Sequence, residues 1–320
     1  MFELAPDAIT KPLQKPTRDG FGTGLVAAAQ QHENIVGLCS DLVESTRMLE
    51  FKKQFPDRYI EMGVQEQNMA GVAAGMSQEG FIPFIASYAT FSPGRNWDQI
   101  RVSICYNNAN VKIIGAHAGI SVGPDGATHQ ALEDIAITRV LPNLTVIAPC
   151  DVLETHRATI AAANMTGPVY IRFTREATPI LTTPQTPFEI GKAYVTREGT
   201  DVALLSTGTQ LYDALLAAEM LAHENISCVV IHCPTIKPLD STTILKNIEK
   251  VRGVVTVEEH QINGGFGSAI TELVSEHNPK KVIRIGMRDS FGESGKPKEL
   301  LIKYGITIKE ILDAVRSIMK

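Results

Sequence analysis

Short apolar runs and longer amphipathic stretches alternate along this chain. From residue 20 to about residue 178, Val- and Ile-rich runs are separated by segments with helical spacing. That alternation is typical of a parallel sheet covered by helices on both faces. The predicted strands are 35–39, 59–62, 81–87, 111–116, 144–148 and 169–173, and the predicted helices are 24–31, 66–78, 97–107, 130–140 and 152–163, the last capped by Asp151.

A proline-rich stretch divides the chain. Pro179, Pro184 and Pro187 fall within nine residues, and each removes a backbone donor that a helix or a central strand needs. The alternation then resumes, with predicted strands 202–206, 227–232, 253–258 and 282–285, helices 211–223, 241–247 and 266–276, and further helices from residues 296 and 307. The pattern predicts an α/β protein of two consecutive doubly wound domains, with an N-terminal arm (1–19), a first domain (20–178), a linker (179–190) and a smaller second domain (191–320).

The composition fits two folded domains, because 44% of the 320 residues are hydrophobic. The formal net charge is −5, and no Lys/Arg run is long enough to follow a phosphate backbone, which argues against nucleic-acid and membrane-surface partners. The five cysteines are scattered, without the close pairs of a zinc or redox site. Together with a start that is neither basic nor continuously apolar, they predict a cytoplasmic protein with buried free thiols.

A carboxylate stands where a predicted strand leads into a glycine-bearing helix. Glu66 lies in the run Gly63-Val-Gln-Glu-Gln-Asn-Met-Ala-Gly71, and Tyr88 and Phe91 follow the next strand. An acid and two aromatic faces at one edge suit a flat heterocycle with basic nitrogens. The alternative is a surface charge that answers the positive end of the helix dipole.

The densest polar segment follows the predicted strand 111–116. It carries His117, Asp125 and His129 among three glycines, at the end of a parallel strand where ligands bind in open α/β sheets. These residues predict a substrate site; the alternatives are a core histidine, a simple Asp-Gly turn, and a metal site whose histidine spacing matches no common zinc motif. The chain has neither a Gly-x-Ser-x-Gly elbow nor a nucleotide-binding glycine fingerprint.

Five motifs, in this order, resemble one family. They are Gly-Val-Gln-Glu66-Gln-Asn-Met-Ala-Gly, the pair Tyr88 and Phe91, His117 with Asp125, the run Asp125-Gly-Ala-Thr-His129-Gln, and Tyr170-Ile-Arg172. From Arg18 onward the chain resembles the carboxyl-terminal half of a transketolase, a thiamine-diphosphate enzyme that moves two-carbon ketol units between sugar phosphates. The resemblance implies a pyrimidine-binding domain at 20–178 and a transketolase C-terminal domain, without catalytic residues, at 191–320.

The resemblance assigns cofactor contacts to four residues. Glu66 matches the residue that hydrogen-bonds the aminopyrimidine ring of thiamine diphosphate, so that the cofactor can deprotonate its own thiazolium carbon. Tyr88 and Phe91 resemble the aromatic platform under that ring, and Asp41 matches a further cofactor-binding position. Glu66 is therefore a predicted catalytic residue.

The resemblance also assigns the substrate contacts. The positions that match binders of the sugar's terminal phosphate are Arg18, Ser45, His117 and Arg172. An arginine binds two phosphate oxygens at once, so two arginines suffice to anchor the phosphate. Asp125 resembles the residue that hydrogen-bonds a hydroxyl of the donor sugar. His129, the second predicted catalytic residue, resembles one that hydrogen-bonds the reacting carbonyl.

A missing motif implies a partner. The family holds the diphosphate through Mg²⁺ with a Gly-Asp-Gly segment and a later Asn, and no Gly-Asp-Gly occurs in the 320 residues. The resemblance therefore implies that this chain contributes no metal ligand, and that an N-terminal transketolase subunit carries the Gly-Asp-Gly/Asn motif with Mg²⁺ and the diphosphate. The expected assembly is α2β2 with active sites between chains. The predicted function is that of the C-terminal subunit of a heteromeric transketolase in pentose phosphate metabolism.

Two other functions stay open on the residues alone. The run Tyr88-Ala-Thr-Phe91 also resembles 1-deoxyxylulose-5-phosphate synthase, and the β subunit of a 2-oxoacid dehydrogenase is a related possibility. A noncatalytic assembly or regulatory subunit of the same fold is the alternative from another class. Arg95 is either a further phosphate contact or a basic residue at a helix start, and the preferred sugars stay undetermined.

Overall fold

The apolar runs of the first half form one sheet in the computed structural model, which describes residues 2–320. All residues of the strands Ile35–Cys39 and Lys112–Ala116 are buried, because helices cover both faces of a parallel sheet. The strands of this half are β1 (Gln14–Pro16), β2 (Ile35–Cys39), β3 (Tyr59–Glu61), β4 (Ile82–Tyr88), β5 (Lys112–Ala116), β6 (Thr145–Ile147), β7 (Val169–Arg172) and β8 (Ala177–Pro179).

Six helices surround these strands. They are α1 (Thr17–Gln31), α2 (Leu49–Gln54), α3 (Glu66–Gln78), α4 (Trp97–Gln99), α5 (Asp134–Arg139) and α6 (Val152–Asn164). Helix α4 continues as a π-helix over Ile100–Tyr106, and 3₁₀ turns occupy Pro56–Arg58 and Ile120–Asp125. The predicted cap of α6 is confirmed, since the carboxylate of Asp151 accepts a hydrogen bond from the backbone N–H of Glu154 at 2.7 Å.

The second half of the chain shows the same alternation of strands and helices around a smaller sheet. Its strands are β9 (Tyr194–Arg197), β10 (Val202–Ser206), β11 (Cys228–His232), β12 (Thr235–Lys237), β13 (Gly253–Gln261) and β14 (Lys281–Met287). Its helices are α7 (Leu211–Ala222), α8 (Ser241–Ile248), α9 (Phe266–His277), α10 (Pro297–Lys303) and α11 (Ile308–Met319), with a 3₁₀ turn at Gly208–Gln210. The five-stranded sheet has the order β14-β13-β10-β11-β9, in which only β9 is antiparallel to its neighbour.

The first sheet has seven strands in the order β12-β6-β7-β5-β4-β2-β3. The pairs from β6 to β3 are parallel, whereas β12 comes from the second half of the chain and pairs antiparallel with β6. The sequence pattern did not predict β12, β9 or the two-stranded ribbon of β1 and β8. Pairing with β12 covers the edge of β6, an edge that would otherwise expose unpaired backbone groups.

The two α/β halves match the predicted fold class, and their contact is buried. One apolar cluster contains side chains of both halves, among them Val146 and Ile236. At the same boundary Nε2 of His232 lies 2.8 Å from a carboxylate oxygen of Glu154, with both side chains fully buried.

All five cysteines are buried and free, as predicted. Within residues 2–320, every helix is too short or too polar to span a bilayer.

Candidate active site

Most of the predicted site residues lie at one edge of the first sheet. Because the strands β2, β4 and β5 are parallel, their carboxyl ends open on the same side, where ligands bind in such sheets. Asp41 follows β2, Tyr88 ends β4 and His117 follows β5. Strand β3 leads through a short turn into Glu66 at the start of α3. Chain topology therefore brings together residues that are far apart in sequence.

Glu66 is 1% exposed. Its carboxylate accepts a hydrogen bond from Arg95 Nη1 at 2.6 Å and from Ser87 Oγ at 3.3 Å, and its backbone carbonyl accepts one from Asn96 Nδ2 at 3.2 Å. A buried carboxylate needs such partners, because an unpaired charge is costly away from water. Arg95 lies on the exposed side of this pair, with its guanidinium carbon 4.6 Å from the centre of the Phe91 ring. The structure thus pairs Arg95 with Glu66.

Four rings line the cleft next to Glu66. Tyr88 is stacked on His117 with centroids 4.0 Å apart, and it lies nearly parallel to Phe91 with centroids 6.1 Å apart. His129 meets Tyr88 and Phe91 edge-on, at 6.0 and 5.3 Å. Its Nδ1 lies 2.8 Å from the hydroxyl of Thr128. Parallel and edge-on ring contacts of this kind hold aromatic side chains in defined orientations.

The cations form a second group in the same cleft. Arg18 Nη1 donates to the carbonyl of Ser45 at 3.3 Å and to Nε2 of His117 at 3.4 Å. Since arginine can only donate, the ring proton of His117 is on Nδ1, a buried donor without a partner in residues 2–320. The Nε of Arg18 is unpartnered as well. Both nitrogens are buried in the free chain.

The charges around His117 keep it neutral. Burial, followed by the nearby Arg18, Arg175 and Arg47, lowers the pKa of His117 to about 3. Burial and then Arg47 lower the pKa of Arg18. Neighbouring positive charges that lower one another's pKa are stabilised by a bound anion. His117 is therefore a neutral hydrogen-bond donor over the physiological pH range.

One predicted substrate contact, Arg172, is paired with a carboxylate in the free chain. Arg172 is 5% exposed, and it donates from Nε and Nη2 to the carboxylate of Asp134 at 2.7 and 3.2 Å. Its Nη2 also donates to the carbonyl of Glu259 at 3.2 Å, and the Tyr170 hydroxyl donates to Asp134 at 2.7 Å. In the free chain the guanidinium is therefore part of a buried ion pair, and the phosphate contact of Arg172 stays a prediction. The motif Tyr170-Ile-Arg172 forms part of the domain boundary.

Arg175 is a further candidate that the sequence analysis did not name. It lies just beyond the end of β7, and its Nη1 is 3.1 Å from a carboxylate oxygen of Asp125. Its side chain is half-buried, and its charge contributes to the lowered pKa values of Arg18 and His117. The usable signal was position, since ligands bind beyond the ends of parallel strands and Arg172 is still inside its strand.

Asp41 and Ser45 occupy the loop after β2. Asp41 has a positive φ of 56°, its N–H donates to the Glu61 carboxylate at 2.7 Å, and its side chain is exposed without a hydrogen bond in residues 2–320. Ser45 contacts Arg18 through its carbonyl rather than its hydroxyl. Both residues lie at the predicted edge of the sheet.

The second domain holds the loop that carries His117, Asp125 and His129. Glu259 of β13 accepts a hydrogen bond from the backbone N–H of Ser121 at 2.6 Å. Gly119 has a φ of +90°, and a side chain there would collide with the same carboxylate. The amide of Gln130 donates to the carbonyls of Ile120 and Gly123, each at 3.3 Å, and of Glu293 at 2.9 Å. The loop therefore depends on the second domain for its conformation.

Comparisons with known proteins agree with the resemblance seen in the sequence. The family model of the transketolase pyrimidine-binding domain matches residues 14–180, and that of the transketolase C-terminal domain matches residues 191–311. A Methanocaldococcus jannaschii protein that carries the name transketolase C-terminal section is 42% identical over 309 residues, which cover 96% of this chain and 97% of that protein.

Two further relatives are of similar length. A 6-deoxy-6-sulfo-D-fructose transketolase subunit of a Clostridium species is 39% identical over 301 residues, with 94% of each chain covered. A solved structure described as a split gene transketolase, inactive beta4 tetramer, superposes with a TM-score of 0.89 at 43% identity and covers 95% of this chain and 98% of that one. The similarity thus extends over both domains and nearly the whole length.

Proposed function

The chain belongs to the transketolase family, and from this we propose that it is the C-terminal subunit of a heteromeric transketolase. The family depends on thiamine diphosphate, and the relatives of equal length include a split transketolase. The proposed reaction transfers a two-carbon ketol unit from a ketose phosphate to an aldose phosphate. A second polypeptide with the Gly-Asp-Gly/Asn motif would hold Mg²⁺ and the diphosphate.

One observation carries the proposal: the buried carboxylate of Glu66 lies at the rim of an aromatic cleft. The rings of Tyr88 and Phe91 are nearly parallel, and a flat aminopyrimidine can stack there with a ring nitrogen directed at Glu66. The residues present therefore fit the pyrimidine end of thiamine diphosphate. Within residues 2–320, the one cluster of potential metal ligands, Cys150 with Glu154 and His232, includes no residue of this cleft.

When bound, thiamine diphosphate supplies the carbanion chemistry, and the chain supplies proton transfer and orientation. In our proposal Glu66 exchanges a proton with the aminopyrimidine, so Arg95 must share or release the carboxylate oxygen that it now contacts. His129 is held by Thr128 and by edge-on contact with Phe91. It is placed to hydrogen-bond the reacting carbonyl oxygen of the donor and to stabilise charge that develops there.

The cationic group is the proposed anchor for the anionic end of the sugar. Arg18, which contacts His117, and Arg175, which lies next to Asp125, supply the positive charge and the N–H donors that a phosphate needs. Asp125, held by Arg175, is then available to accept from a sugar hydroxyl. A terminal sulfonate, as in the substrate named for the Clostridium relative, presents the same three-oxygen geometry with less charge. We therefore compare a phosphate-bearing and a sulfonate-bearing ketose directly as donor substrates.

The partner surface is proposed on α3, the helix that begins at Glu66. Gly71 and Gly75 lie on its exposed face, and a side-chain carbon at either position would meet no atom within 4 Å. Large apolar side chains are exposed nearby, namely Val64, Val72, Val102 and Tyr106. Adjacent glycines on one helical face permit close packing, and an exposed apolar patch typically marks an interface. Because the face adjoins Glu66, the subunit that binds there would complete the cofactor site.

Reconstitution tests the function. The chain is combined with the N-terminal transketolase subunit from the same source, thiamine diphosphate and Mg²⁺, and assayed with xylulose 5-phosphate and ribose 5-phosphate. We expect conversion only when both polypeptides are present. Consumption of pyruvate in place of the ketose phosphate would instead assign the protein to the deoxyxylulose phosphate synthase or 2-oxoacid dehydrogenase type. Replacing the donor by 6-deoxy-6-sulfofructose tests the sulfonate alternative.

Arg175→Ala is expected to weaken binding of the sugar phosphate without disturbing the cofactor site. Loss of a charge-assisted hydrogen bond to phosphate costs about 1.5–3 kcal/mol, so KM for the donor should rise by about 10- to 100-fold. The change in kcat should be much smaller, because the contact is present in both the ground state and the transition state. Steady-state kinetics of the reconstituted enzyme measure both constants.

Arg101→Ala is the matched control for this substitution, because Arg101 is exposed and forms no ion pair in residues 2–320. It should leave KM unchanged. Equal effects of the two substitutions, or a loss of kcat alone in Arg175→Ala, would contradict the anchoring role.

Gly75→Trp is expected to weaken assembly with the partner while leaving the isolated chain folded. The side chain projects into open space in the single chain, and helix propensity improves when glycine is replaced. At a packed interface, however, overfilling costs about 1–3 kcal/mol, or about 10- to 100-fold in affinity for the partner. Analytical ultracentrifugation measures assembly and thermal unfolding measures the fold. Met220→Trp, an exposed site on α7, is the control, and normal assembly of Gly75→Trp would place the partner elsewhere.

A further inference from the structure

The backbone around His117 has an uncommon conformation. His117 has a φ of +56°, in the left-handed region that residues with a side chain rarely adopt, and Gly119 has a φ of +90°. Residues in such conformations persist only where the surrounding structure fixes them, and they are frequent at functional sites. The contacts that fix this turn therefore decide where the His117 ring lies.

Three hydrogen bonds hold the backbone that follows His117. The N–H groups of Ala118 and Gly119 donate to backbone carbonyls of the first domain, at 3.0 and 2.9 Å. The N–H of Ser121 donates to Oε1 of Glu259, in the second domain, at 2.6 Å. Because this third acceptor belongs to a side chain, a single substitution can remove it.

The N–H of Ser121 needs that acceptor. Ser121 is 7% exposed and lies in the first turn of the 3₁₀ segment Ile120–Asp125. The first N–H groups of a helical segment have no partner inside it, and a buried donor without an acceptor is costly. Without Glu259 the turn would have to move until water or another acceptor reached this N–H. The same turn connects His117 with Asp125.

Glu259 is itself held firmly in place. It is 4% exposed, and its backbone carbonyl accepts from Nη2 of Arg172 at 3.2 Å. Arg172 is in turn paired with Asp134 at 2.7 Å. The carboxylate also fills the space beside the turn, since a side-chain carbon at Gly119 would lie 2.3 Å from Oε1 of Glu259. A side chain fixed on several sides is a rigid support for the residues that it contacts.

We propose that Glu259 is a positioning residue for binding of the sugar phosphate. From the second domain it holds the turn 117–125 in the conformation in which His117 and Asp125 face the ligand. Glu259 itself does not touch the ligand, so the expectation that the second domain has no catalytic residue is unchanged. The identity of the ligand rests on the proposed function.

The sign of the effect distinguishes positioning from other roles. Glu259→Ala removes an acidic group from the neighbourhood of an anion site, and by electrostatics alone the anion should then bind as well as before or better. Positioning predicts the opposite, a KM for xylulose 5-phosphate that rises by about tenfold or more. General destabilisation predicts a third result, because fewer folded molecules lower the apparent kcat and leave KM unchanged.

Two further variants complete the comparison. Glu259→Gln keeps an oxygen that can accept from the Ser121 N–H, so KM should stay close to that of the unaltered enzyme. Glu258→Gln is the matched control: Glu258 is buried on the same strand, but it accepts from the N–H groups of Phe266 and Gly267, each at 2.7 Å, at the start of α9. This variant should lose stability and keep its KM. Equal effects of Glu258→Gln and Glu259→Ala on KM would overturn the proposal.

Hydrogen exchange supplies a measurement that does not depend on turnover. Mass spectrometry of peptides that cover residues 117–125 is carried out on the full chain and on the reconstituted complex. We expect exchange at least about tenfold faster in Glu259→Ala than in the unaltered chain, and slow exchange in Glu259→Gln and Glu258→Gln. Unchanged exchange in Glu259→Ala would overturn the proposal, and so would faster exchange with an unchanged KM.

Failure of the proposed function would be recognised separately. If the unaltered complex did not transfer a ketol unit, calorimetric titration of the complex with xylulose 5-phosphate would take the place of KM. Weaker binding in Glu259→Ala, with normal binding in Glu259→Gln, would then support the positioning role although the reaction had been wrongly assigned. Equal binding in the two variants would overturn the positioning role, and no binding by the unaltered complex would overturn both proposals.

Discussion

Glu66→Gln is expected to lower turnover of the reconstituted enzyme by about 10²- to 10⁴-fold, the range that a positioned general acid–base group contributes. Arg95 and Ser87 donate to different oxygens of the Glu66 carboxylate, at 2.6 and 3.3 Å. A glutamine amide can accept from Arg95 through its oxygen and donate to the Ser87 hydroxyl through its NH2 group. It cannot exchange a proton with the aminopyrimidine near neutral pH. The substitution therefore removes the chemistry and preserves the packing. Initial rates with xylulose 5-phosphate and ribose 5-phosphate measure the effect.

Two controls make this result specific. Thermal unfolding of Glu66→Gln should match that of the unaltered chain, because the buried side chain keeps its volume. Glu79→Gln changes an exposed glutamate just beyond the end of the same helix and should leave turnover intact. If Glu66→Gln retained most of the turnover, the chain would be an assembly or regulatory subunit rather than a contributor to catalysis.

Asp134→Ala is expected to destabilise the chain by about 3–5 kcal/mol, because it leaves the buried guanidinium of Arg172 without its counter-charge. The carboxylate of Asp134 accepts from Arg172 at 2.7 and 3.2 Å and from the Tyr170 hydroxyl at 2.7 Å. Its loss leaves the hydrogen-bond donors of Arg172 and Tyr170 without an acceptor at the boundary between the domains. Urea denaturation of the isolated chain gives the free energy of unfolding.

A double substitution separates charge from packing. Asp134→Leu with Arg172→Met removes both charges while keeping side-chain volume, and it should recover much of the lost stability. Glu224→Ala, which breaks an exposed ion pair with Arg316, should leave the free energy of unfolding within experimental error. If Asp134→Ala destabilised the chain as little as Glu224→Ala, Arg172 would not depend on Asp134, and a direct phosphate contact of Arg172 would be favoured.

The sequence pattern located most elements closely. The predicted helix 66–78 and the predicted strands 35–39 and 202–206 agree with the structure at both ends. These segments have strong local signals, since continuous apolar runs form buried strands and apolar residues at helical spacing form helices. The strands that were missed, β1, β8, β9 and β12, are three or four residues long and belong to edges or ribbons. Their pairing depends on distant partners, which a local pattern does not contain.

The site shows the same division between local and distant information. Glu66, Tyr88 and His117 were located because each lies at the end of a strand or a few residues after it, so position along the chain was informative. The choice between Arg172 and Arg175 was not local. Arg172 is the last residue of β7, and Arg175 lies three residues beyond it. Only their partners Asp134 and Asp125, 38 and 50 residues away in sequence, distinguish the buried ion pair from the arginine beside Asp125.

The sequence by itself determined the succession of strands and helices, the two α/β domains and the set of chemical groups that meet at the carboxyl ends of the parallel strands. Periodicity and strand ends encode these properties locally. The tertiary structure alone decided which charges are paired, as for Arg95 with Glu66 and Arg172 with Asp134. It also decided that Glu259 of the second domain holds the loop that carries His117, Asp125 and His129. Pairing and burial are properties of distance in space, and distance in sequence does not specify them.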